Sequence, residues 1–303
     1  MLTITQLGVN KVKELFIRLL KLLRLYSTAK AIRRWMDRYA PENIRRRKEM
    51  LAFYSQFIKK GDLCFDVGAN MGNRTEIFLE LGARVVCIEP QKVCLQRLYK
   101  LFGNNKDVII VDKAVGDREG YAELAICEEA PTLATLSDKW KKEGRFSKDF
   151  KWEKTQRVPV TTLDTLVLLY GLPIFCKIDV EGFEESVLKG LTKPLPFISF
   201  EFTREFFDDA KKCVNHLLSI GRVEFNCSIG ESMKWLFPTW VTPDELYQGV
   251  DSVEDKLVWA IFMPDFSDEE NGRGFYYHPN RTGLAGGLFI NSHAFSYNAT
   301  RSC

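Results

Sequence analysis

Three histidines stand among 303 residues, and none of the eight cysteines has another three positions away. The Cys/His spacing of zinc sites is therefore missing, and no metal is expected. No run of about 18 uninterrupted apolar residues occurs, so no transmembrane helix is expected. Nor is a signal peptide, because Arg18, Lys21 and Arg24 break the apolar residues 15–26 and no small-residue cleavage site follows. Gly-x-Gly-x-x-Gly is absent, and no glycine loop runs into Gly-Lys-Ser/Thr. The nicotinamide fingerprint and the P-loop are thus both missing. The net charge of +3 is too small to imply a nucleic-acid partner, and the Asn-Pro-Pro-Tyr type of base-methylation motif is lacking. No nucleic-acid partner is expected.

What remains is an ordinary globular composition, 46% hydrophobic and 27% charged. Cys64, Cys87 and Cys176 lie in apolar runs, where a thiol acts as a small hydrophobe, and this reads as a reducing, cytoplasmic setting. The charge is uneven. Residues 1–50 hold 13 Lys/Arg against 4 Asp/Glu, whereas 51–303 hold 30 against 36. Leu15, Phe16, Leu19, Leu20, Leu22, Leu23 and Tyr26 recur at helical spacing with basic residues between them. Residues 1–50 therefore read as a basic amphipathic helical arm. It either packs on the body or a second subunit, or lies peripherally on an anionic membrane.

From residue 60 short apolar runs alternate with helical patterns. Strands are predicted at 63–67, 84–90, 108–112, 174–179 and 197–202, with helices at 74–81, 93–102, 163–170, 183–188 and 206–218. Further strands are predicted at 121–127, 156–160, 223–227 and 257–263. Between two of them, 139–154 reads as a surface loop. Strand–helix alternation every 20–25 residues indicates βαβ units and a doubly wound, mostly parallel sheet. The domain is predicted to span 51–264, followed by a Gly/Asn/Ser-rich tail of uncertain order over 265–303.

Asp66-Val67-Gly68-Ala69-Asn70-Met71-Gly72-Asn73-Arg74-Thr75 links the first strand to its helix. Its glycines permit a sharp turn and close approach of a ligand. Glu89 ends the next strand, where a carboxylate can accept from both hydroxyls of a ribose. A ribose and base without a phosphate site suit S-adenosylmethionine. Asp66, Glu89, Asp112, Asp179 and Glu201 all fall at predicted carboxyl ends of strands, the rim where such sheets bind ligands. Lys177, Asp179 and Glu181 are spaced two apart and so face one side of a strand. Asp179 and Glu181 could instead cap the helix that follows.

The segments Phe65–Gly72, Ile88-Glu89-Pro90, Ala114–Asp117, Val160–Asp164 and Lys177–Glu184 resemble, in order, the FkbM family of S-adenosylmethionine-dependent methyltransferases. The resemblance covers about residues 60–202. It implies a class I methyltransferase (Rossmann-like) fold, with a seven-stranded sheet whose last strand is antiparallel. It implies methyl transfer to a hydroxyl, often of a sugar, glycan or secondary metabolite. On this reading Asp66, Gly68, Ala69, Asn70, Gly72 and Thr75 form the cofactor loop, Glu89 and Pro90 serve the ribose, and Asp112 and Ala114 flank the adenine. Asp179 is then the base or acceptor anchor, with Glu181 and Lys177 beside it. A nicotinamide-dependent oxidoreductase and a non-catalytic membrane- or partner-binding module are the alternatives. Acceptor identity and oligomeric state are not legible.

Overall fold

The computed structural model describes residues 40–253 and 257–264. The amphipathic residues 15–26, most of the basic arm and the 265–303 tail lie outside them. Helix α1 (Pro41–Tyr54) begins with Pro at its first turn and buries Phe53 and Tyr54 at its end. Arg47, from the basic run, is paired with Glu76 and Glu80 of α2 (Asn73–Glu80).

A single seven-stranded sheet forms the centre. Its order is β3 (Val108–Val111), β2 (Arg84–Ile88), β1 (Leu63–Val67), β7 (Phe175–Ile178), β8 (Phe197–Thr203), β10 (Leu257–Pro264) and β9 (Val223–Ile229). Five strands, β3 to β8 in that order, are joined by parallel ladders. The last strand among the described residues, β10, runs antiparallel between β8 and β9. The fold is thus the doubly wound α/β architecture of class I methyltransferases.

Helices cover both faces of the sheet, so β1 and β7 bury every residue and are apolar except for Asp66 and Lys177. On one face Tyr54, Phe57, Phe78 and Phe175 interlock, with ring centroids 5.1–5.8 Å apart and mostly edge to face. On the other, α6 (Glu184–Lys189) and α7 (Phe207–Ile220) cover Ile178, Ile198 and Phe200. The seven described cysteines are buried and unbridged.

The strand order reverses between β1 and β7, and crossovers leave opposite faces there. Such a switch point opens a crevice at the carboxyl ends of its strands. Val67 and Ile178 are register neighbours at those ends, so the loop after Val67 and Asp179 must meet.

The structure departs from the sequence reading in three respects. Ala114–Val115 (β4), Gly120–Ile126 (β5) and Lys154–Thr161 (β6) form a separate three-stranded sheet. The stretch read as a loop over 139–154 contains helix α4 (Asp138–Glu143). Ser137 caps it by accepting from the Trp140 amide at 3.1 Å, and burial of Trp140 anchors it. Helix α8 (Pro243–Asp251) was not foreseen. It carries a full capping box between Thr242 and Glu245.

Candidate active site

The loop after β1 is built to lie against its neighbours. Gly68 has φ 74°, and a Cβ added there would stand 1.8 Å from the Asp179 carbonyl oxygen. No other residue type permits that approach. The Gly68 and Ala69 amides donate to the Ile88 carbonyl at 2.9 and 3.1 Å, locking the loop to β2. Asn70 then takes a left-handed φ of 51°, which turns its own amide onto Glu89.

Glu89 is 6% exposed. One oxygen accepts from the Asn70 amide and the other from the Gln91 amide, both at 2.8 Å. Burial pushes its carboxyl up to about 7, against the pull of those two amides. Each oxygen keeps a lone pair, and among the described residues no ion pair neutralises the group. The carboxylate lines a cleft with Gly68, Asn70, Pro90, Ala114 and Leu124. The second sheet forms one wall, tied to Pro90 by Gln156, whose side-chain amide donates to its carbonyl at 2.8 Å.

The residues fit S-adenosylmethionine. A fixed carboxylate with spare acceptor capacity suits a ribose diol. Val67, Ile88, Val115 and Leu136 give an apolar slot for a base.

Not every residue read as cofactor-binding reaches this cleft. Gly68, Asn70, Glu89, Pro90 and Ala114 line it. Asp66 and Thr75 are fully buried beneath the loop, where the Thr75 hydroxyl donates to Asp66 at 2.6 Å. Ala69 packs inward, and Gly72 lies against Leu98 and Phe102 of α3 (Lys92–Phe102). Asp112 is exposed and does not line the cleft, while its neighbours Lys113 and Ala114 do. The strand ends one residue earlier than read, at Val111, so Asp112 falls outside it.

Lys177 is buried between two carboxylates, its Nζ 2.9 Å from Asp179 and 3.8 Å from Asp66. Burial disfavours its charge, but Asp179 and Asp66 outweigh this and raise its pKa. Burial would likewise raise Asp179. The Lys177 ammonium and a hydrogen bond from Glu201 prevail and hold that carboxyl below its usual range. Glu201 is pushed up, first by burial and then by the charge on Asp179, so the two carboxyls hold one proton between them. Glu181 has a left-handed φ of 55°, and its carbonyl accepts from the Thr135 hydroxyl at 2.7 Å. Burial and then Asp179 raise its carboxyl as well.

Asp179 and Glu181 do not cap α6. Glu184, the first residue of the helix, accepts from two amides of the preceding turn, Val180 at 3.0 Å and Gly182 at 3.4 Å. The side chains of Asp179 and Glu181 are left to face open space. They line both the cofactor cleft and a second cavity of about 270 Å³. Trp140, Glu201, Thr203 and Phe206 form other parts of its wall. The ion pair of Lys139 with Asp209, 2.6 Å, belongs to the same wall.

Sequence reasoning placed Glu201 on the rim without giving it a role, and it missed Trp140 and Glu184. The signal for Glu184 was an acidic residue at the first position of a helix. His216 Nε2 lies 2.9 Å from the Leu191 carbonyl oxygen.

The fold, the reversal cleft and the fixed Glu89 carboxylate that lines it are those of a class I S-adenosylmethionine-dependent methyltransferase. A model of the family described as Methyltransferase FkbM domain matches residues 66–221, half of the chain, and the protein belongs to that family. The nicotinamide alternative gives way to this assignment. No curated protein matches the chain.

Solved structures similar to it include a TehB-like SAM-dependent methyltransferase from Corynebacterium glutamicum. That chain is 11% identical, with 78% of this chain and 98% of that one covered and a TM-score of 0.38. A precorrin-6y C5,15-methyltransferase from Geobacter metallireducens is 13% identical, with 71% and 86% covered and a TM-score of 0.35. An rRNA methylase from Streptococcus thermophilus is 8% identical, with 74% and 96% covered and a TM-score of 0.36.

Proposed function

We propose that this methyltransferase acts on a hydroxyl oxygen of a small molecule, a sugar or glycan or a secondary metabolite. The observation that carries the reading is the pair Asp179 and Glu181, which borders both the cofactor cleft and the second cavity. An acceptor in that cavity meets the cofactor at these two carboxyl groups.

S-adenosylmethionine supplies an electrophilic methyl on a sulfonium, an excellent leaving group. The protein's task is to align an oxygen and receive its proton. Asp179, held ionised by Lys177, accepts the hydrogen bond of the acceptor hydroxyl and directs its lone pair toward the cleft. The Asp179–Glu201 pair carries one proton and one negative charge at neutral pH, so it has room for the hydroxyl proton as the bond forms. Lys177 does not line the cavity and works as a positioning residue through Asp179. Glu181 offers a further polar contact to the acceptor.

The test is Asp179→Asn. Turnover is expected to fall about 10²–10⁴-fold, the usual worth of positioned acid–base catalysis. Affinity for S-adenosylhomocysteine is expected to change little. Turnover near that of the unaltered protein would remove the role given to Asp179.

A further inference from the structure

The second cavity has a wall chemistry that methyl transfer alone does not call for. Its inner end carries Asp179, Glu181, Glu184 and Glu201. The ammonium in contact with this group, Lys177, is already committed to Asp179 and Asp66. Burial and mutual repulsion raise the carboxyls of Glu181, Glu184 and Glu201 above their usual range.

Elsewhere the wall is aromatic in part, with Trp140 and Phe206, and its two lysines, Lys139 and Lys212, are paired with Asp209 and Glu185. The rings of Trp140 and Phe206 stand 5.7 Å apart. At the rim the protein seats an ammonium of its own in such surroundings, with Lys139 Nζ 4.8 Å from the Phe206 centroid and 2.6 Å from Asp209. Two wall residues also carry polar atoms without a hydrogen-bond partner. These are Trp140 Nε1 and Thr203 Oγ1, on side chains 5% and 4% exposed. Unpaired buried donors are costly, and an oxygen-bearing ligand relieves them.

We infer that the cavity takes a hydroxyl acceptor that also carries a protonated amine. The ammonium meets Glu181 and Glu201 and lies against the aromatic wall, and the acceptor's oxygens take the hydrogen bonds of Trp140 and Thr203. A positive charge offsets the crowding of Glu181 and Glu201 beside the Asp179 carboxylate, and aromatic faces add cation–π attraction. A neutral polyol leaves the carboxyl crowding unrelieved. The inference rests on the hydroxyl reading above for the transferred methyl and adds the cationic half of the acceptor.

The probes are benzylammonium and benzyl alcohol, titrated calorimetrically into the full chain at pH 7. S-adenosylhomocysteine is present throughout to fill the cofactor cleft. Benzylammonium is expected to bind at least about tenfold more tightly. In Glu201→Gln, which can keep the hydrogen bond to Asp179 but cannot ionise, the preference is expected to fall several-fold while benzyl alcohol binding holds. Equal affinities, no detectable binding of either probe at 20 mM concentration (about the weakest binding worth calling a site), or a preference untouched by Glu201→Gln would each overturn the inference. None of these outcomes bears on hydroxyl methylation, which is decided separately by where the methyl arrives.

Discussion

Lys177 is the cation on which the electrostatics of the site depend, and Lys177→Met removes it at nearly constant volume. Its Nζ lies 2.9 Å from Asp179 and 3.8 Å from Asp66. At an effective dielectric of about 20 these separations correspond to roughly 6 and 4 kcal/mol of gross attraction. Asp179 keeps 31% of its side chain exposed, so water screens its share. Desolvation of the ammonium offsets several kcal/mol more. The net loss on leaving two carboxylates uncompensated is about 3–5 kcal/mol.

The pH dependence gives the sharper signature. In the unaltered protein the depressed pKa of Asp179 contributes stability above its ordinary value, about 4, and loses it as pH falls. The raised pKa of Lys177 contributes at all pH values below its own ordinary value, about 10.4, so both act in full near neutrality. Without Lys177 the burial that opposes the Asp179 charge prevails, its carboxyl titrates above its usual range, and the folded state loses stability as pH rises. Guanidinium denaturation of both proteins between pH 4 and 8 should show a gap that is widest at pH 8 and narrows toward pH 4. A gap under about 1 kcal/mol at pH 8, or one constant with pH, would refute the reasoning.

Other expectations follow from the same geometry. Glu89→Ala should weaken S-adenosylhomocysteine binding by about 1.5–3 kcal/mol in calorimetry, the range for hydrogen bonds to a charged group. Unchanged affinity would remove Glu89 from the ribose site. Because the Glu89 carboxyl sits at about 7 and must ionise to accept from two hydroxyls, cofactor affinity should rise with pH from 6 to 8 and level off above. A flat profile would contradict that role. Gly68→Ala places a methyl group onto the Asp179 carbonyl in a left-handed backbone, so thermal unfolding should fall sharply and cofactor binding be lost. If the basic arm touches membranes, vesicle binding should need anionic lipid, weaken with salt, and vanish on deletion of residues 1–39 with cofactor affinity intact. Loss of cofactor binding on that deletion would favour packing on the body instead.

The central sheet was legible because fully buried strands leave short, mostly apolar runs, as in Leu63–Val67 and Phe175–Ile178, each broken by a single charged residue. The switch point followed from their order. Glu89 and Asp179 were legible because strand ends carry the ligands in such sheets. Thr75 and Asp66 were placed in the cleft because adjacency in sequence does not reveal which side of a loop a side chain takes; they lie beneath it. Helix α4 was hidden by its polar composition, since one buried tryptophan fixes it. Helix α8 had a readable signal, Thr242-Pro243 followed by Glu245, that went unused. The Asp179–Glu201 pair joins adjacent strands through tertiary register, which no local pattern encodes.

The most direct test of the account is the destination of the methyl group. The protein would be incubated with S-adenosylmethionine carrying a ¹³C-labelled methyl and a panel of amino alcohols, neutral sugars and RNA, and the products read by carbon NMR. The account predicts a labelled methyl on a hydroxyl oxygen of a small acceptor, formed by the unaltered protein and largely lost with Asp179→Asn. Label on nitrogen, carbon or RNA, or hydroxyl methylation undiminished in Asp179→Asn, would contradict it.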